Sequence, residues 1–217
     1  MSARPRGGVE PMPGAVLVGG RSRRMGRPKA QIHIGDRESA TYVVRALRPV
    51  TERIFLVGEA AGLDHLGLMQ VRDIRPDHGP LGGLETAFLE SRAERLVVVA
   101  CDLPCVTPAL LRRLQMAVVG YQAAVPSVGG QRHPLCGVYD RACLPVIQRR
   151  LDDGTYGMLE MLDEVACCDV FTDAEGNPLD PDLLINVNTP PDVERAADCL
   201  ARRGELKPRP PRKEGGS

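Results

Sequence analysis

Apolar positions along the chain follow two rhythms. Short apolar runs mark strands at Ala15–Val18, Arg53–Val57 and Leu96–Ala100, with a weaker one at Met69–Ile74. Later strands are predicted at Ala123–Pro126, Pro134–Tyr139 and Leu183–Val187. Between them lie stretches with helical spacing: Ser39–Leu47, Leu81–Ser91, Ala109–Val119, Leu144–Leu151, Met158–Glu164 and Val193–Arg202. Thr107-Pro108 and Thr189-Pro190 each place a capping hydroxyl before a proline, the usual opening of a helix. The run LVVVA at Leu96–Ala100 is apolar at every position, as a parallel strand covered on both faces must be. Alternation of the two rhythms predicts an α/β fold with a mostly parallel sheet and right-handed crossovers.

The ends differ from the middle. Residues 1–13 and 207–217 are dense in Pro, Gly and charge and lack apolar periodicity, so both are predicted to be disordered tails flanking one domain at 14–206. A chain of 217 residues suits a single domain with a sizeable core. Its 28 basic and 28 acidic side chains cancel, which argues against a general nucleic-acid binder. With no Trp, four Tyr and three Phe, stacking platforms for single strands are also excluded. No apolar run approaches the roughly 20 residues of a membrane span, and residues 1–13 have no apolar leader core. Seven cysteines without a CxxC pair read as reduced packing residues in a cytoplasmic protein. A monomer is the default reading.

Ligands of parallel sheets collect at the carboxyl ends of the strands, and three polar segments fall there. The first is LVGGRSRRMGRPK, Leu17–Lys29. Gly19 and Gly20 allow a tight turn that presents N–H groups to an anion, while Arg21, Arg23, Arg24 and Lys29 supply positive charge. It is neither a P-loop nor a GxGxxG turn, and without the rest of the chain it also reads as a solvated basic loop. The second is ACDLPCVTP, where Asp102 leaves the apolar strand directly and suits a Mg²⁺ shared with phosphates, or else a simple turn interaction. The third is LINVNTP, whose Asn186 and Asn188 share one face and either hold a polar ligand or anchor the turn before Thr189. GPLGGL, following Asp73, Asp77 and His78, allows close approach of a ligand or of the sheet. His133 and Cys136 in RHPLCGVY have no orienting third group, so a nucleophilic dyad is not expected.

Taken together, these segments resemble a known family. LVGGRSRRMGRPK is similar to the LxGGxSxRMGxxK signature of GT-A-like nucleotidyltransferases; GPLGGL, CDLP, HPLCGVY and NVNTP resemble the molybdenum cofactor guanylyltransferase (MobA) pattern. The resemblance spans Ala15–Ala197. It implies a three-layer α/β/α, Rossmann-like fold, and transfer of GMP from GTP to the terminal phosphate of molybdopterin with release of pyrophosphate. It further implies that Leu17, Val18 and Gly19 contact the nucleotide through their backbone and that Lys29 binds its phosphates. Asp73 stands where the family binds nucleotide, Asp102 where it binds nucleotide and Mg²⁺, and Asn186 and Asn188 on the pterin-phosphate side. Arg24, Lys29 and Asp102 are then the catalytic candidates, and a molybdoenzyme or cofactor-delivery protein is a transient partner. One departure stands out: relatives often carry Asn after the strand Arg53–Val57, whereas this chain reads VGEA, so Gly58 offers only backbone. Rival expectations are a molybdopterin cytidylyltransferase, a sugar-phosphate nucleotidyltransferase and a non-catalytic cofactor carrier.

Overall fold

The computed structural model describes residues 11–19, 21, 22 and 27–206, the side chains of 21, 22 and 27–29 excepted. Strand β1 (Gly14–Leu17) leads into two small ribbons, β2 (Arg21–Ser22) with β3 (Arg27–Pro28) and β4 (His33–Ile34) with β5 (Arg37–Glu38), and then into α1 (Ser39–Leu47). There follow β6 (Ile54–Val57), β7 (Met69–Val71), α2 (Gly79–Ser91), β8 (Arg95–Ala100) and α3 (Pro108–Ala117). The second half holds β9 (Ala123–Val128), β10 (Gln131–Arg132), β11 (Cys136–Asp140), α4 (Leu144–Asp152), α5 (Met158–Asp163), β12 (Cys167–Val170) and α6 (Pro190–Arg202).

The main sheet runs β10-β9-β11-β8-β1-β6-β7, with β12 also paired to β9. Strands β8, β1, β6 and β7 are mutually parallel, Gly14 standing opposite Ile54 on one side and Val97 on the other. Strand β11 enters antiparallel between β8 and β9, while β12 lies parallel to β9. The sheet is thus mostly parallel, as the alternation predicts.

Strand periodicity divides the core into two layers. Along β1, Ala15 and Leu17 face one layer and Val16 the other; along β8, Leu96 and Val98 oppose Val97 and Val99. One layer packs under α1 and α3 (Val43, Leu47, Leu111, Leu114), the other under α2, α4 and α5 (Leu84, Phe88, Ile147, Met161). A third, smaller cluster joins α6 to β4 through Ile34, Tyr42, Val187, Cys199 and Leu200. Thr107 accepts the Leu110 N–H at 3.2 Å ahead of Pro108, so the helix-opening signal reads true.

Three expectations need correction. Leu183–Val187 is not a strand: a 3-10 turn at Pro181–Leu184, opened by the Asp180 carboxylate accepting from Asp182 N–H, takes its first half. Ile185 and Val187 are buried against α6 instead, so their alternation reflects that small cluster rather than a sheet. Strand β12 was not foreseen, because Cys167–Val170 mixes half-buried and polar positions at the sheet's margin. Finally, the first predicted tail is too long: Met12 is buried, its carbonyl accepts from Glu52 N–H at 3.1 Å, and Pro13 C=O accepts from Val97 N–H at 3.0 Å. The rest of that stretch, 1–10, and the second predicted tail, 207–217, lie outside the described residues. No helix among the described residues is long and apolar enough to cross a membrane.

Candidate active site

Because β7, β6, β1 and β8 are parallel, their carboxyl ends share one edge of the sheet. From β1 the chain turns to β6 on one flank, and β8 lies on the other, so this edge contains a topological switch point where ligands bind. Val18 N–H donates to Val57 C=O at 2.9 Å, Gly58 N–H to Val71 C=O at 2.8 Å and Cys101 N–H to Leu17 C=O at 3.0 Å. These bonds hold the loops after four strands in one continuous rim.

On the β6–β7 flank the rim is made of glycine. Gly58 has φ +108°, a region L side chains rarely adopt, and a methyl group built on it would meet Gly19 N at 2.9 Å and Asp73 Oδ2 at 3.5 Å. A methyl on Gly83, near the start of α2, would lie 3.3 Å from Leu17 Cδ2 and 3.7 Å from Asp73 Oδ1. Leu17, Gly19, Gly58, Asp73 and Gly83 therefore converge, although they come from four separate stretches of chain. The glycines of GPLGGL serve helix-on-sheet packing and the site at once. Asp73 Oδ1 is buried, with no hydrogen-bond partner among the described residues. Burial raises the Asp73 carboxyl above its usual value. Asp77, the other acid of this loop, is exposed at φ +64°.

On the β8 flank the rim is made of side chains. Asp102 is only 2% exposed and follows β8 as the apolar run predicts. Its carbonyl accepts from Val187 N–H at 2.9 Å, which brings LINVNTP beside it. Asn188 Nδ2 donates to Asn186 Oδ1 at 2.6 Å, so the two amides act as one unit and each keeps hydrogen-bonding capacity. Asp192 fixes the turn behind them: its Oδ2 accepts from Asn188 N–H (3.1 Å), Thr189 N–H (2.9 Å) and the Thr189 hydroxyl (2.7 Å). The wholly buried Ser39 was missed from sequence. Heading α1, its hydroxyl donates to Cys101 C=O at 2.6 Å and sets the peptide that precedes Asp102. A serine at a helix start reads as a local cap, which hides this contact 62 residues away.

Of the basic loop, Gly20 and Arg24 lie outside the described residues, as does the Lys29 side chain. The Lys29 backbone opens a 3-10 turn, Lys29–Gln31, and Gln31 Nε2 donates to Ala61 C=O at 2.5 Å. The far end of the loop is thereby anchored beside the segment that follows Gly58. The cysteines behave as packing residues: burial pushes the Cys136 thiol up to about 12, which disfavours the thiolate that a nucleophile beside His133 would need. His133 is itself half-buried, and burial lowers its pKa.

Among the described residues, no group of three or more His, Cys, Asp or Glu could hold a metal ion on its own. A single hard carboxylate beside an anion site instead fits Mg²⁺, which is commonly bound by one or two carboxylates together with substrate phosphates. Asp102, buried just beyond the end of β8, is the carboxylate that would serve in such a donor set.

Comparisons with known proteins bear on the family and the fold. Residues 14–167 match the family model described as MobA-like NTP transferase domain. A protein of Carboxydothermus hydrogenoformans named probable molybdenum cofactor guanylyltransferase is 32% identical over 182 residues, covering 83% of this chain and 92% of that one. A protein of the same name from Pelotomaculum thermopropionicum is 33% identical over 186 residues, covering 84% and 90%. Among solved structures, molybdopterin-guanine dinucleotide biosynthesis protein A from Archaeoglobus fulgidus superposes with a TM-score of 0.72. It is 23% identical and covers 88% of this chain and all of its own, a likeness of fold.

Proposed function

The chain belongs to the MobA-like NTP transferase family, and from that membership we propose that it transfers GMP from GTP to the terminal phosphate of molybdopterin. It is a nucleotidyltransferase of molybdenum cofactor biosynthesis. The observation that carries the finer reading is Asp102. Its strand end is tied through Cys101 N–H to Leu17 on the glycine flank and through its own carbonyl to Val187 on the asparagine flank. A residue bridging two unlike flanks suits a reaction that joins two phosphates.

In this reading the glycine flank holds the nucleotide. The backbone of Leu17, Val18, Gly19 and Gly20 lies against it, Asp73 binds it, and Lys29 and Arg24 neutralise its phosphates. Asn186 and Asn188 hold the acceptor phosphate on the other flank. That phosphate is ionised at neutral pH, so no general base is needed. Its oxygen forms a bond to the α-phosphorus, the bond from that phosphorus to the bridging oxygen breaks, and pyrophosphate leaves with the electron pair. The work of the protein is alignment and charge compensation. Mg²⁺, held by Asp102 and the triphosphate, would supply further neutralisation of the developing charge. Asp102 itself is held by the Ser39 bond to the preceding peptide and by Val187, so its carboxylate needs little reorganisation during transfer. We place the reaction in the cytoplasm, where seven free cysteines persist.

The test is nucleotide choice. The protein is incubated with Mg²⁺, molybdopterin and each NTP in turn, and pyrophosphate is followed. Release with GTP and not with CTP is expected. A preference for CTP, activity with a sugar phosphate alone, or tight cofactor binding without turnover would each overturn the guanylyl assignment.

A further inference from the structure

We infer that Thr86 is a positioning residue for the nucleotide site, acting through Asp73; the inference rests on the nucleotide-binding role proposed above. Thr86 lies on α2 and is wholly buried. Its hydroxyl makes two bonds at once. It donates to Gly82 C=O at 2.9 Å, within its own helix, and accepts from Ile74 N–H at 3.0 Å, across to the loop that follows β7. Ile74 is the residue after Asp73, so this second bond fixes the peptide from which the Asp73 carboxylate is carried.

The need for such a clamp follows from burial. Asp73 carries a buried oxygen that no described residue satisfies, and such a group relaxes toward solvent unless its backbone is held. A second tie runs between the same loop and the same helix: Arg75 Nε stands 3.0 Å from Glu85 Oε2, with Glu85 only 2% exposed. Two adjacent helix residues thus grip the two positions that follow Asp73. The same helix places Gly83 so that a methyl group added there would lie 3.7 Å from that carboxylate. Helix α2 therefore sets both the wall and the direction of the acid. Neither interaction follows from sequence, because a threonine and a glutamate within a helix carry no positional signal of this kind.

Binding of GTP with Mg²⁺ is measured by calorimetry for the wild type, T86V, T86S, D73N and the T86V/D73N pair, with melting temperatures as the check on folding. T86V keeps the volume but loses both hydrogen bonds, and is expected to weaken GTP about tenfold, the effect of one buried hydrogen bond. T86S restores the hydroxyl and should bind within about twofold of wild type. With Asp73 already replaced, T86V should change affinity by less than about twofold, because the two residues act as one unit. In steady state the loss should fall on the KM for GTP and leave the KM for the acceptor unchanged. If T86V does not fold, T86A removes the hydroxyl without adding a methyl and carries the same cycle. Unchanged affinity in T86V, or the same loss with and without Asp73, would overturn the clamp while leaving the functional reading intact. A wild type that binds no GTP would instead retire that reading, and the clamp with it.

Discussion

The two flanks of the cleft are built from different materials. The β6–β7 flank is a cradle of main chain, in which a methyl group on Gly58 would strike Gly19 N at 2.9 Å, one on Gly83 would press on Leu17 Cδ2 at 3.3 Å, and one on Gly19 would lie 3.8 Å from Asp73. The β8 flank is a lattice of side chains, in which Asn186, Asn188, Thr189 and Asp192 hold each other by hydrogen bonds. Backbone cradles read shape and tolerate no added atoms; side-chain lattices read hydrogen-bonding partners and degrade by steps. The flanks should therefore fail differently under substitution, abruptly on one side and gradually on the other.

Asp102, which joins the flanks, gives the largest expected effect. D102A should lower kcat/KM by at least about 10²-fold for both substrates, comparable to losing one preorganised charge stabiliser, and K29A by a similar factor. Near-normal turnover by purified D102A would remove the metal assignment and the bridging role with it. G58A comes next. It forces an L residue to φ +108° and sets its methyl 2.9 Å from Gly19 N. Strain of this kind costs about 1–3 kcal/mol, and the displaced Gly19 should raise the KM for GTP about tenfold or more with the acceptor KM unchanged. An acceptor-side defect in G58A would break the division between flanks. N188A is milder. It removes one amide and the 2.6 Å bond to Asn186, so the acceptor KM should rise up to about tenfold and GTP binding should hold within about twofold. Loss of GTP affinity in N188A would assign the asparagines to the nucleotide instead.

How much of this was legible before the structure depends on the physical signal. Strands β1 and β8 and helix α1 were plain, because burial on both faces or on one stripe leaves a periodic apolar trace. Asp102 was legible for the same reason: an acid two positions past the end of LVVVA emerges at a strand end. The direction of β11 was not, since an apolar run looks the same read up or down the sheet. Ile185 and Val187 alternate like a strand yet pack on α6, and no local pattern separates those two fates. The contacts of Ser39 and Thr86 were invisible because each joins its residue to a distant or non-helical peptide, 62 and 12 positions away. The departure at Gly58 takes on meaning only with the fold: the position lacks a side chain where any side chain would strike Gly19.

The smallest expected effect separates the flanks by pH. Asp73 and Asp192 start from the same ordinary value of 3.8 and are moved in opposite directions. Burial raises Asp73, with no bond to its buried oxygen to offset it. Burial also pushes Asp192 up, but bonds from the Thr189 hydroxyl and from the Asn188 and Thr189 amides, with the charge of Arg195, outweigh it and leave the group below its ordinary value. An acid with a raised folded pKa destabilises the fold when ionised, and that penalty disappears as pH falls through the raised value toward 3.8. An acid with a depressed folded pKa stabilises the fold at neutral pH, and that stability begins to drain below 3.8 and is gone once pH passes the lower folded value. At pH 7, D73N should therefore melt above the wild type although it binds GTP more weakly, and D192N should melt below it, by the few degrees that loss of a helix cap of about 1 kcal/mol produces. On acidification toward pH 3, the D73N advantage should close first and the D192N deficit later. A D73N protein that melts below the wild type at pH 7 would mean that the Asp73 carboxylate has a stabilising partner, and that its burial is structural rather than a cost borne for the nucleotide.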